Sequence, residues 1–375
     1  MTHAAVAPIV IAIDSFKGSI RAADAAQAIA EGWWSVEPER DVVLCPMADG
    51  GEGTLDAFAA AVPGARRMSS WLLLPATDDA PNGTGVVELA STSGIELLGS
   101  PPQLRPWDAD TRGFGEAIAA ALAHGVSRLI LGIGSSASTD GGAGMLTALG
   151  ARFTDTAGRP IAPGARGLSS VADADLRHLA PLPPGGVTVL TDVTSPLLGE
   201  RGAAAVFGPQ KGAGMTDIPL LDAALARYAD LFTVDAETPG AGAAGGTGFG
   251  LLAWGARLVP GAEAVAQLID LPAQLAAASL VITGEGSFDR SSAAGKTVAH
   301  VHDLAAAHGV PVALVAGRIA DDTATDRFAT VVSLTKIAGS AEASLADPRL
   351  RLREAGAILA RFGPTPRRPL IASHS

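Results

Sequence analysis

A chain of 375 residues is long for a single hydrophobic core and points to two domains, and with 48% of its residues hydrophobic it has apolar material to fill both. Its formal charge of −11 excludes the broad basic surface that nucleic acid or an anionic membrane requires, so anionic ligands must be held by local loops and a few lysines or arginines. A single cysteine, Cys45, excludes an intrachain disulfide and a cysteine-built zinc cluster, and it fits a reducing cytoplasm.

The first residues lack the basic segment of a signal peptide, and their apolar run is broken at Asp14. No apolar run approaches the roughly 20 residues that span a bilayer, so the expectation is a soluble cytoplasmic protein. Ile9 to Ile13 reads as a short buried strand, followed by the polar loop Asp14-Ser15-Phe16-Lys17-Gly18-Ser19 and an Ala-rich helix to Trp34, with Ser19 as its expected N-cap. Asp14 and Lys17 then stand at the carboxyl end of a parallel strand, where open α/β sheets bind ligands.

Val42 to Leu44 makes a second strand, Asp49-Gly50-Gly51-Glu52-Gly53-Thr54 a loop, and Leu55 to Ala61 a helix. That βαβα rhythm implies a parallel sheet with helices on both faces. It changes at Met68 to Leu74 and Gly85 to Leu89, which are separated by turn-rich sequence and read as antiparallel strands, so a second unit begins near Pro75. Gly113 to His124 is a helix and Leu129 to Ile133 a strand. The stretch Gly132 to Met145 comes next and repeats the Asp-Gly-Gly-x-Gly core at Asp140-Gly141-Gly142. Such a turn from strand to helix lines up backbone N–H groups at the positive end of the helix dipole, a geometry suited to phosphate or carboxylate.

Gly158 to Gly186 reads as loop with short helix, and Val187 to Leu190 as a strand that delivers Asp192 at its end. Lys211 follows in Phe207-Gly208-Pro209-Gln210-Lys211-Gly212. Gly240, Gly242 and Gly245 have the G-x-G-x-x-G spacing, but no good central strand precedes them, so a dinucleotide fingerprint is rejected. Ser279 to Thr283 is a strand running into Gly284-Glu285-Gly286 and Asp289, with Gly295-Lys296-Thr297 beyond. Arg290 stands where a Walker A loop needs its first Gly, so this is no P-loop, although Lys296 remains a candidate phosphate lysine. Val298 to Ala307 is a helix, Pro311 to Val315 and Thr330 to Leu334 are strands, Arg349 to Phe362 is an amphipathic closing helix, and a tail follows from Gly363.

Taken in order, the loops at Asp14–Ser19, Ala48–Thr54, Thr139–Met145, Asp192–Pro196, Val206–Gly212, Gly240–Gly246 and Gly284–Lys296 resemble those of the bacterial glycerate kinases of type I, over nearly the whole chain. The resemblance implies two α/β domains with an interdomain cleft. One is Rossmann-like and built from both chain ends (1–76 and 278–375), and the other is inserted (77–277). It implies ATP-dependent phosphorylation of D-glycerate, with Mg²⁺, to 2-phosphoglycerate. The chain departs from the family's usual pattern at Ile13, Thr139, Ser287 and Ser291, the last two in a loop that bears on substrate preference.

On that footing Lys17, Lys211 and Lys296 are the candidates for neutralising phosphoryl or carboxylate oxygens. The backbone of Gly50, Gly51, Gly53, Thr54, Gly141, Gly142, Gly284 and Gly286, with Asp14, Ser15 and Ser19, lines the substrate and phosphates. Asp49, Asp140, Glu285 and Asp289 are the candidate metal ligands. Asp192 is the residue expected to orient or deprotonate the substrate hydroxyl, with Lys17 as its catalytic partner. A kinase for another small hydroxy acid or polyol would share these loops. A non-catalytic two-lobed binding protein would share the glycine turns but has no need of so many loop carboxylates beside lysines. Pairing of two copies into a homodimer is left open.

Overall fold

The computed structural model describes residues 7–289 and 297–363, which gather into two compact units. The first takes the chain up to Ala48, Asp56–Pro63 and Ala262 onward; the second takes Asp49–Leu55 and Gly64–Gly261. In chain order the strands are β1 (Ile9–Ile13), β2 (Val42–Leu44), β3 (Arg66–Arg67), β4 (Leu72–Leu74), β5 (Thr84–Glu88), β6 (Arg128–Gly132), β7 (Arg152–Thr154), β8 (Asp173–Asp175), β9 (Val187–Leu190), β10 (Arg257–Val259), β11 (Leu280–Phe288), β12 (Val312–Ile319) and β13 (Thr330–Ser333).

The first unit is built on a parallel sheet of order β13-β12-β11-β1-β2. Its interior strand β1, Ile-Val-Ile-Ala-Ile, lies between β11 and β2 and is buried at every residue, as expected of a parallel strand covered by helices on both faces. The helices Ala22–Trp34 and Pro348–Phe362, one from each end of the chain, pack closely against each other and share the core of this unit through Ile29, Trp33, Leu352 and Leu359. Each such side chain taken fully out of water contributes about 1.5–3 kcal/mol, which is what ties the two chain ends into one body. The first of these helices is capped by Arg21 without a side-chain bond, not by Ser19. Ser19 instead belongs to the tight turn before it, where its N–H reaches Phe16 O at 2.8 Å.

The second unit carries a mixed sheet of order β10-β9-β6-β5-β4-β3. β5, β6, β9 and β10 run parallel and β3, β4 and β5 antiparallel. Because Leu73 pairs with Gly85, the segment from Gly64 joins this sheet, and the exchange of units falls earlier than the 76/77 expected from sequence. At the far end it falls at Gly261, since Ala262 onward packs with the first unit. Phe153, Tyr228, Phe232 and Phe249 form a cluster of tilted and edge-to-face rings in the core, with centroids 5.0–6.3 Å apart. Among the described residues no helix is long and apolar enough to cross a membrane.

Candidate active site

In the first unit the expected residues gather at the carboxyl ends of β1 and β11. Ile13 is in register with Gly284, and the N–H of Asp14 continues the ladder to Gly284 O at 2.9 Å. The Asp14 side chain is 8% exposed; its Oδ1 accepts the Ser15 N–H at 2.6 Å and its Oδ2 the Thr297 hydroxyl at 3.0 Å. Asp14 therefore fixes the turn that carries Lys17, which is exposed at the loop tip beside Gly18. That turn lies over β11: a Cβ on Gly286 would come within 3.2 Å of Phe16 Cα. Glu285, in β11, and Asp289, just beyond it, are half-buried. Lys296 and Ser291 lie outside the described residues.

In the second unit Asp49–Thr54 lies across the ends of β6 and β9. Gly50 has φ +91°, a Cβ there would sit 2.4 Å from Leu190 O, and its carbonyl accepts the Gly134 N–H at 2.9 Å, so the position admits only glycine. Asp192, two residues past the end of β9, accepts the Gly261 N–H on Oδ1 at 2.8 Å. Gly261 also touches the Asp49 backbone, since a Cβ on it would lie 2.1 Å from Asp49 O. Asp49 and Asp192, both half-buried, are thus neighbours through one glycine.

In both Asp-Gly-Gly turns a carboxylate of this chain accepts backbone N–H groups of the turn. Asp49 Oδ1 takes the Gly51 N–H at 2.9 Å, and Glu88 Oε1 takes the Leu55 N–H at 3.4 Å in the first turn of the helix Thr54–Ala61. Asp140 is fully buried, its Oδ2 accepting the Thr111 N–H (2.9 Å), Thr111 hydroxyl (2.8 Å) and Gly144 N–H (3.1 Å), its Oδ1 the Gly142 N–H (3.2 Å). Gly141 gives its N–H to Gly245 O and packs against the Tyr228 ring, 2.8 Å from where a Cβ would be. The groups expected to hold phosphate (Gly141, Gly142) and metal (Asp140) are engaged within the turn itself, Asp140 with Thr111, Gly142 and Gly144, and Gly141 with Gly245. Glu88, at the end of β5, is the group that residue-by-residue reading missed; its only signal was an acid closing an apolar run.

Lys211 is likewise not a surface cation. Its side chain is 2% exposed, and Nζ donates to Ser136 Oγ at 2.7 Å and Ser138 O at 2.5 Å. Burial lowers its pKa from 10.5 to about 7, against the opposing pull of Asp140. Burial raises Asp140 and Tyr228 in turn. Lys211 thus clamps the segment 136–138 from within. The flanking loops hold two non-glycine residues in the left-handed region, Ser135 (φ 59°) and Ala244 (φ 55°), strain of the sort that persists where neighbouring contacts over-determine a loop. Among the described residues no three acidic, histidine or cysteine side chains gather with metal-ligand spacing.

A family model described as the glycerate kinase family matches residues 9–363. The glycerate 2-kinase of Escherichia coli (strain K12) is 42% identical over 330 residues, 84% of this chain and 86% of that protein. The glycerate kinase of Bacillus subtilis (strain 168) is 42% identical over 331 residues, with the same 84% and 86% coverage. A crystal structure from Salmonella typhimurium LT2 described as a glycerate kinase 2 superimposes with a TM-score of 0.78 at 38% identity, covering 95% of this chain and 98% of that one.

Proposed function

Because this chain belongs to the glycerate kinase family, we propose that it transfers the γ-phosphoryl group of ATP to the 2-hydroxyl of D-glycerate, giving 2-phosphoglycerate and ADP. The bond formed is from the glycerate oxygen to phosphorus, the bond broken is that to the β,γ-bridging oxygen, and the hydroxyl proton must leave. Asp192 takes that proton: it stands at the carboxyl end of β9, oriented by the Gly261 N–H, and has Asp49 beside it. This geometry is the observation that carries the assignment. Asp14 holds the loop on which Lys17 supplies positive charge to the phosphoryl oxygens. Lys211 acts by holding the segment 136–138 in shape, not by touching substrate.

Glu285, in β11, and Asp289, just past it, are half-buried carboxylates, hard oxygen donors of the sort Mg²⁺ takes one or two of while keeping water and phosphate oxygens; they would hold the ion, which would supply charge neutralisation to the nucleotide. Asp49, half-buried in the second unit, is a further donor of the same kind. The buried thiol of Cys45, pushed up to about 12 by its surroundings, is inert and suits a reducing cytoplasm, where we place the enzyme. The test is ATP consumption by the purified chain with D-glycerate, L-lactate or glycerol, with and without Mg²⁺. Consumption is expected only with D-glycerate and Mg²⁺ together; equal turnover of glycerol would overturn the substrate assignment.

A further inference from the structure

A cavity of about 260 Å³ lies within the second unit, behind the Asp140 turn, with Asp110, Arg112, Gly144, Arg152, Ile161 and Pro163 among its walls. Four other arginines of this unit are spoken for: Arg128 pairs with Asp79, Arg159 with Asp155, Arg166 with Asp108 and Arg177 with Asp175. Among the described arginines of this unit whose guanidinium has no ion pair or hydrogen bond, Arg112 and Arg152, both exposed, are the two that line this cavity. The nearby carboxylate, Asp110, is turned to its own chain, with Oδ1 accepting the Arg112 backbone N–H at 2.9 Å. Two uncommitted guanidinium forks match the charge and planar hydrogen bonding of a phosphate dianion, while Ile161, Pro163 and Phe153 offer an apolar wall to a carbon body. The volume falls below the range of drug-sized sites and suits a molecule of a few carbons.

We propose that this cavity is a second ligand site, specific for a small organic phosphate and separate from the residues assigned to phosphoryl transfer. Its wall is wired to the Asp140 turn. Thr111, between Asp110 and Arg112, gives its N–H and hydroxyl to Asp140 Oδ2 and accepts the Met145 N–H at 2.9 Å. Gly144, itself a wall residue, gives its N–H to the same carboxylate oxygen. A ligand drawing Arg112 inward therefore acts on the bonds that hold Asp140, and the segment leading into that turn reaches the Asp49 loop through the Gly134 N–H on Gly50 O, a route by which the site would act as an effector site on turnover.

The experiment uses the full chain and its Arg112→Ala/Arg152→Ala double variant, titrated calorimetrically with phosphoenolpyruvate, with sulfate as the control anion. The binding measurement needs no assumption about the reaction. Wild type is expected to bind phosphoenolpyruvate at least about tenfold more tightly than the double variant, whose kcat and KM without the ligand match wild type. Equal binding by both proteins, binding lost instead in Lys17→Ala, or sulfate binding as tightly (an adventitious ion only) would each overturn the site. At saturating ATP and D-glycerate the ligand is expected to change kcat by about twofold or more in wild type alone; an unchanged kcat despite arginine-dependent binding would refute the coupling.

Discussion

Replacing Lys211 by Met isolates the cost of the buried ammonium. A fall from 10.5 to about 7, at about 1.4 kcal/mol for each tenfold change in proton affinity, corresponds to about 5 kcal/mol at most. The sign follows from proton counting. Below pH 7 the amine is protonated whether the chain is folded or unfolded, and the folded state bears the full penalty. Above pH 7 the folded amine gives up its proton while the unfolded one keeps it to about 10.5, so the unfolded state binds more protons and stability rises with pH by up to about 1.4 kcal/mol per unit. Methionine keeps the unbranched stem, leaves Ser136 Oγ and Ser138 O without their donor at about 1–3 kcal/mol, and removes the titration. Asp140, whose charge pulls on Lys211, and Tyr228, coupled to Asp140, are the titratable neighbours and are present in both proteins. The stability of wild type minus that of Lys211→Met, from urea unfolding, should therefore grow by about 2–3 kcal/mol between pH 7 and pH 9. A difference that stays constant across that range would show that Lys211 keeps an ordinary pKa and would refute the burial argument.

Asp192→Asn keeps the oxygen that receives the Gly261 N–H, so the protein should fold normally and bind ATP, while kcat drops by about 10²–10⁴ in steady-state assays. Retention of more than about a tenth of wild-type turnover would remove Asp192 from proton transfer. Gly50→Ala forces a Cβ to 2.4 Å from Leu190 O at φ +91°, strain of about 1–3 kcal/mol that also displaces Asp49. A thermal melt should show Tm lowered by several degrees and kinetics a raised KM; an unchanged Tm would mean that the loop yields without strain.

The strands that carry the architecture were legible because parallel strands buried on both faces are written as unbroken β-branched runs, as at Ile9–Ile13 and Val187–Leu190. The pair β7 and β8 was not, since three-residue strands such as Asp173–Asp175 carry charges and too few residues to show a period. The same limit applies at the site. Sequence marked Asp140-Gly141-Gly142 as an anion-holding turn, but no pattern in the sequence could tell that the Asp140 carboxyl group itself accepts the N–H groups of the turn. Nor could it tell that Lys211 faces Ser136 and Ser138, 75 and 73 residues away in sequence, instead of solvent. Asp192 and Asp49, by contrast, were marked by their place after a strand, and they come together because Gly261 reaches both.

The central claim is the identity of the acceptor oxygen. Incubation of the purified chain with ATP, Mg²⁺ and D-glycerate, followed by phosphorus NMR of the product, is expected to show 2-phosphoglycerate with ADP in equal amount. Formation of 3-phosphoglycerate, or ADP with inorganic phosphate alone, would contradict it.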